Sequence, residues 1–133
     1  MKSKFIWANF SVENAKRTND FYTQLGFTPN TPPQSNPKLA SFFFGENKFV
    51  IHFFEQGTGI DAYFPSGSKT DEIVFTLSAE TEKEVQEFEA KVREAGGEIF
   101  QKLRRDESGY YGFAFADPDG HKFNVLLMDN MIY

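Results

Sequence analysis

The 133-residue sequence contains no cysteine. Its absence excludes disulfide bonds, thiolate nucleophiles and zinc sites built from cysteine. Only two histidines are present, and no nucleophile-elbow pattern accompanies them, which disfavours a Ser–His–Asp hydrolase. Glycine-rich phosphate loops of the Walker or Rossmann type are missing as well.

Basic residues are fewer than acidic ones. The chain has 14 Lys and Arg and 19 Asp and Glu, which gives a net charge of −5. Such an acidic chain lacks the basic surface that nucleic-acid binding requires. The short apolar stretch near the start is too brief for a signal-peptide core or a membrane span. We therefore expect a soluble, cytoplasmic protein with neither nucleic acid nor membrane as a partner.

Phenylalanine is abundant, with 17 residues in a chain long enough to bury a core. Aromatic-rich interiors also line pockets for flat or apolar ligands.

The first half of the chain predicts one helix among several strands. Asn14 can cap a helix, apolar residues recur at helical spacing from Ala15 to Leu25, and Gly26 can end the helix in a left-handed conformation. Proline-rich residues 28–38 predict an irregular loop. Strands are expected at residues 5–12, 39–44 and 48–54.

The second half repeats this pattern. Thr81 and Glu84 have capping-box spacing, an apolar stripe follows on one helix face, and Gly96 can end this helix 70 residues after Gly26. Strands are expected at residues 72–78, 98–103, 110–116 and 122–128. The sequence thus predicts an α+β fold made of two βαβββ modules.

The turn Asp117-Pro118-Asp119-Gly120 suits a type I hairpin. His121, directly after it, is expected to be an exposed residue at the start of a strand. Asn124 is harder to explain, because a polar amide in an apolar strand needs a partner or a ligand.

Three stretches carry a resemblance to a known family: SVENAKRTNDFYTQLGF, KEVQEFEAKVREAGGEI and FADPDGHKFNVLLMD. The chain resembles the vicinal oxygen chelate superfamily of glyoxalase I, bleomycin-resistance proteins and extradiol dioxygenases. The resemblance implies a single domain, 1–133, whose modules form a mixed eight-stranded open barrel around a pocket. Module one covers about 1–56, a linker or lid about 57–70 and module two about 71–133. It also implies a homodimer.

Active members of that superfamily hold a divalent metal, with ligands from the first and last strand of each module. The resemblance maps these positions to Trp7, His52, Glu72 and Asn124. His52 and Glu72 are good donors for Ni, Zn, Mn or Fe, and Asn124 is a weak one. The Trp7 indole cannot ligate at all, since it offers only an N–H donor. We therefore expect no metal cofactor.

A pocket of this composition would bind a small organic molecule through aromatic contacts and a few hydrogen bonds. We predict this binding function without a catalytic metal. One alternative is a metal-dependent lyase, isomerase or dioxygenase that uses His52 and Glu72. Another is a non-catalytic dimerisation module. Without metal, His52 and Glu72 could still act as an acid–base pair. The predicted ligand-binding residues are Trp7, Asn9, His52, Phe54, Glu72, Asn124, Tyr110 and Tyr111, with the region around Phe64 as a lid.

Overall fold

In a computed structural model, the protein is described over residues 1–31, 36–64 and 72–128. The chain forms two compact units, Met1–Lys69 and Thr70–Tyr133. In the part of each unit that the structure describes, one α-helix accompanies one four-stranded sheet. Neither of these helices has the length and apolar character that crossing a bilayer requires.

Unit one has the order strand, helix and three strands. Its first and last strands pair in parallel, and the other two pairings are antiparallel, so that the sheet order is β1-β4-β3-β2. The elements are β1 (Ala8–Val12), α1 (Ala15–Leu25), β2 (Thr28–Pro29), β3 (Leu39–Phe44) and β4 (Phe49–Glu55).

Unit two repeats this topology in the order β5-β8-β7-β6, again with its first and last strands parallel. The predicted α+β class and the two βαβββ modules are confirmed. The elements are β5 (Val74–Ala79), α2 (Glu82–Ala95), β6 (Glu98–Arg105), β7 (Tyr111–Ala116) and β8 (Lys122–Leu127).

The two helices begin and end where their capping residues predict. The Asn14 side chain accepts a hydrogen bond from the backbone of α1, and Thr81 accepts one from the Glu84 amide at 3.1 Å. Gly26 and Gly96 follow the helices with φ of 98° and 91°. Glycine takes this left-handed conformation without the steric cost that a Cβ imposes, so each helix ends cleanly.

The core of unit one is aromatic and lies between α1 and one face of the sheet. Tyr22 is fully buried and stacks on Phe53 with ring centroids 4.8 Å apart, and Phe42 and Phe44 contact it at 5.6 and 5.7 Å. Alternate residues of β4 therefore point away from α1. His52 and Phe54 lie on that second face and are only partly buried.

One loop prediction needs correction, and the predicted linker or lid contains a short helix. The region 28–38, predicted as irregular loop, begins with the short strand β2, which pairs with Phe42 and Phe43 of β3. The predicted linker or lid, 57–70, contains a 3-10 helix, Gly59–Ala62, in which Ile60 is buried. Residues 65–70 lie outside the described residues. A two-residue strand is too short for a periodic signal, which is why the sequence missed it.

The prediction that His121 is exposed is wrong, since only 1% of its surface is accessible. One oxygen of Asp117 accepts hydrogen bonds from the Asp119 and His121 backbone amides, and the other lies 2.7 Å from His121 Nδ1. The Asp117 carboxylate thus organises the turn and holds the imidazole in the interior of unit two.

Candidate functional site

An open cleft of about 790 Å³ lies on the face of the unit-one sheet that α1 does not cover. Four of the predicted binding residues line it: Trp7, Asn9, His52 and Phe54. Trp7 directly precedes β1, Asn9 lies on β1, and the other two lie on β4. The parallel pairing of β1 and β4 sets Asn9 beside His52. The structure thus brings half of the predicted set together within a single unit.

The 3-10 helix region forms the rim of this cleft. Ile60, Tyr63 and Phe64 line it, and Tyr63 is 79% exposed. The Thr58 hydroxyl donates to the Glu55 carbonyl at 2.8 Å, and the Gly57 amide donates to the Asp61 carboxylate at 3.0 Å. These bonds hold the rim to the end of β4. Phe64, which was predicted to belong to a lid, lines the cleft. Closure of this lid remains a prediction.

A row of polar side chains crosses the unit-one sheet, and two of its members, Asn9 and His52, line the cleft. In the sheet register, His52 lies beside Asn9 of β1 on one side and Ser41 of β3 on the other. His52 Nδ1 is 2.7 Å from Ser41 Oγ. Asn30, just beyond β2, donates from Nδ2 to the same Ser41 oxygen at 3.2 Å. The row thus connects three strands and the residue that follows β2.

His52 is half-buried among aromatic rings. Its ring lies edge-on to Trp7 and to Phe54, with centroids 6.2 and 5.7 Å apart. Burial disfavours the charged imidazolium and lowers the pKa of His52 below its usual 6.5. The imidazole is therefore neutral at neutral pH and can exchange a proton or a hydrogen bond with a bound molecule.

Trp7 forms one wall of the cleft and is 50% exposed. Its indole Nε1 donates to Asn9 Oδ1 at 3.2 Å. That bond satisfies the polar edge of the indole, which leaves the ring face as an apolar surface for a ligand. Trp7 is also the sole tryptophan of the chain, so the cleft carries its own fluorescent reporter.

Asn124 and Tyr110 lie in unit two, where they line a second cleft of about 340 Å³ together with the basic residues Lys102 and Arg104. Asn124 Oδ1 accepts a 2.7 Å hydrogen bond from Thr76, its register partner on β5. The need of Asn124 for a polar partner is thus met by a neighbouring strand.

Tyr111 and Glu72 also belong to unit two. The Tyr111 hydroxyl accepts from Gln86 at 3.0 Å, and the Arg105 guanidinium lies over its ring at 5.3 Å. Glu72 is exposed and precedes β5. The roles predicted for Tyr110, Tyr111, Glu72 and Asn124 in ligand binding stay predictions.

The donor set does not fit the divalent metal that the resemblance implies. His52 is the one strong donor among the described residues that line the unit-one cleft, and its Nε2 is the ring nitrogen left for a ligand, since Nδ1 lies 2.7 Å from Ser41 Oγ. Asn9 Oδ1 accepts from the indole of Trp7, which cannot ligate. Among the residues that the structure describes, no three His, Cys, Asp or Glu side chains are grouped to hold a metal ion. A catalytic centre needs about three such donors.

Sequence reasoning missed Ser41 and Asn30, which hold His52. A signal for Ser41 was present, since it interrupts the apolar run Leu39–Phe44 in the way that Asn124 interrupts β8. Asn30 had no such signal, because it lies in the region assigned to a loop.

The two βαβββ units and the ligand-sized cleft define a class of small α+β binding or enzymatic proteins. A family model, the Glyoxalase/Bleomycin resistance protein/Dioxygenase superfamily, matches residues 4–125. The chain belongs to this superfamily, and the resemblance inferred from the sequence is confirmed.

Solved structures share the fold. The hypothetical protein SA1046 from S. aureus is 30% identical with a TM-score of 0.84, and the match covers 96% of this chain and 95% of that one. A glyoxalase-related enzyme from Fulvimarina pelagi is 16% identical with a TM-score of 0.76, covering 94% and 88%. A glyoxalase/bleomycin resistance protein/dioxygenase family enzyme from Burkholderia phytofirmans is 16% identical with a TM-score of 0.76, covering 91% and 95%. At 16% identity these two show the fold alone. A search of curated proteins found no match.

Proposed function

We propose that the protein binds a small, flat, largely apolar organic molecule in the unit-one cleft, without a catalytic metal. The cleft volume of about 790 Å³ lies within the range of about 300–1,000 Å³ usual for small-molecule sites. Trp7, Phe54, Tyr63 and Phe64 give the cleft aromatic surface, and its polar lining residues are Asn9, Asn36, His52 and Thr58. This composition favours stacking on a planar ligand over coordination of an ion.

The single observation that carries the proposal is the position of the His52 imidazole between aromatic rings in a cleft of ligand-binding size. Burial lowers its pKa, and the rings of Trp7 and Phe54 are 6.2 and 5.7 Å from it. An apolar body can lie against the rings while one polar group reaches the imidazole. Sequestration of such a molecule, or a metal-free reaction in which His52 exchanges a proton with it, would use the same geometry.

The test is a binding screen read from Trp7 fluorescence. Aromatic antibiotics and metabolites are titrated into the purified, tag-free protein. A ligand that covers the half-exposed indole should shift its emission to shorter wavelength and saturate. A His52→Ala variant should weaken the response, and Phe100→Ala should leave it unchanged, because Phe100 is similarly exposed but lies on β6 of unit two. If no compound in a broad screen changes the emission, the proposal fails.

The metal-dependent alternative is tested on the same preparation. Elemental analysis and thermal shift with Ni, Zn, Mn and Fe(II) should show neither stoichiometric metal nor stabilisation, since a ligand of the folded state raises its stability. Stoichiometric metal that is lost in His52→Ala would instead establish a metal enzyme, and lyase and dioxygenase assays would follow.

A further inference from the structure

The orientation of His52 is set by a hydrogen-bonded chain of two residues. Asn30 Nδ2 lies 3.2 Å from Ser41 Oγ, and Ser41 Oγ lies 2.7 Å from His52 Nδ1. The backbone amide of Asn30 also donates to the Ser41 carbonyl at 2.8 Å, so these two residues are joined at two points. Ser41 is only 7% exposed.

The direction of these bonds follows from what each group can donate. An amide nitrogen only donates, whereas a hydroxyl donates one hydrogen bond and accepts two. With Asn30 donating to Ser41 Oγ, the hydroxyl hydrogen is available for His52 Nδ1. If Nδ1 carried the proton instead, the hydroxyl hydrogen of Ser41 would have no acceptor among the described residues. A buried donor left unsatisfied in this way costs free energy. The favoured arrangement leaves the ring proton on Nε2.

A second donor faces the cleft beside His52. Asn9 Oδ1 is occupied by the indole of Trp7 at 3.2 Å, so the amide nitrogen of Asn9 is the group left for a ligand. Asn9 and His52 are direct partners in the parallel register of β1 and β4. Two residues that can each offer an N–H group to a ligand are therefore direct register partners in the lining of the cleft.

We infer that Ser41 and Asn30 are positioning residues that fix His52 in its Nε2–H tautomer, and that the cleft selects ligands that present a carbonyl oxygen. The ligand part rests on the proposed function. A carbonyl oxygen has two lone pairs and can accept from His52 and Asn9 together, while the apolar body lies against Trp7. The lowered pKa of His52 keeps this donor neutral at pH 7, which suits an uncharged acceptor.

The tautomer is tested without any ligand, by nitrogen NMR of the full-length ¹⁵N-labelled protein. The chain has two histidines, and His52→Gln assigns the signals. We expect His52 Nε2 to show the pattern of a protonated ring nitrogen and Nδ1 that of a bare one. Ser41→Ala should raise the Nδ1–H population, and Ser41→Thr, which keeps the hydroxyl, should restore the wild-type pattern. A His52 signal with the proton on Nδ1 in the wild type would overturn the inference, and it would mean that the Asn30 amide oxygen accepts from Ser41.

Ligand selection is tested with two probes of nearly the same shape. Acetophenone carries a carbonyl oxygen where α-methylstyrene carries a CH₂ group. The ratio of their Kd values is measured by chemical-shift titration for the wild type and for His52→Phe. Loss of one neutral hydrogen bond should change this ratio about five- to tenfold in favour of α-methylstyrene. An unchanged ratio would overturn the selection of a carbonyl. Failure of both probes to bind would count against the cleft as a binding site, and the tautomer spectrum would still decide the positioning roles of Ser41 and Asn30.

Discussion

Removal of the Trp7 ring should weaken ligand binding far more than it weakens the fold. Trp7 is 50% exposed, so about 120 Å² of an indole side chain of about 250 Å² is accessible to solvent and available for a ligand to cover. At about 25 cal/mol per Å², a ligand that covers half of this surface gains about 1.5 kcal/mol from Trp7. One that covers all of it gains about 3 kcal/mol. We therefore expect Trp7→Ala to raise Kd by about 10- to 100-fold.

Isothermal titration calorimetry with the tightest ligand from the screen measures this change, because Trp7→Ala removes the fluorescent reporter. Phe100→Ala is the matched control, since it removes an aromatic ring that is 40% exposed in unit two. Urea unfolding of both variants checks that each remains folded. Equal Kd values for wild type, Trp7→Ala and Phe100→Ala, with all three folded, would refute the placement of the ligand against Trp7.

Three further predictions concern stability. Because the pKa of His52 is lowered in the folded state, the unfolded state binds more protons than the folded state once the pH falls below about 6.5. The free energy of unfolding should therefore decrease from there down to the folded-state pKa. His52→Gln should flatten this part of a pH series of urea unfolding, and an unchanged slope would contradict the lowered pKa. A Cβ at Gly112 would overlap the Val125 carbonyl oxygen, so Gly112→Ala should lower the free energy of unfolding by at least about 2 kcal/mol. Gly59→Ala is the control, because a Cβ there meets no atom within 4 Å, and it should leave the free energy of unfolding nearly unchanged in the same assay. Tyr22→Ala removes a fully buried ring and should lower the free energy of unfolding by about 4 kcal/mol; a loss below about 1 kcal/mol would show that the aromatic core repacks.

The features that could be predicted from the sequence are those with strong local rules. Asn14 and Thr81 mark helix starts because their side chains satisfy free amides of the first turn, and Gly26 and Gly96 mark the ends. Side chains of β4 alternate between the two faces of the sheet, and His52 lies on the face opposite the core. The matching pattern of the two halves predicted the repeat, and the motifs of the chain then predicted the family.

The features that were missed depend on contacts between distant residues. The burial of His121 follows from the carboxylate of Asp117 turning inward, which a good turn sequence does not reveal. Ser41 reaches His52 through the pairing of β3 with β4, and Asn30 reaches Ser41 because β2 pairs with β3. Trp7 and His52 were predicted because the resemblance maps ligand positions of the family onto them, whereas the rim around Ile60 depends on a 3-10 helix that has no periodic signal.

The parallel pairing inside each unit has a consequence for how the chain is made. Ala8 pairs with Ile51, and Val74 pairs with Lys122, so each sheet is completed by the last strand of its own unit. During synthesis, β1 lacks its parallel partner until β4 has emerged from the ribosome. The Asn9–His52 pair of the cleft can form only after that point. All of its strands are nevertheless present before β5 is translated. Domains generally fold as units, N-terminal first, so the proposed binding cleft would be assembled while the second half of the protein is still being made.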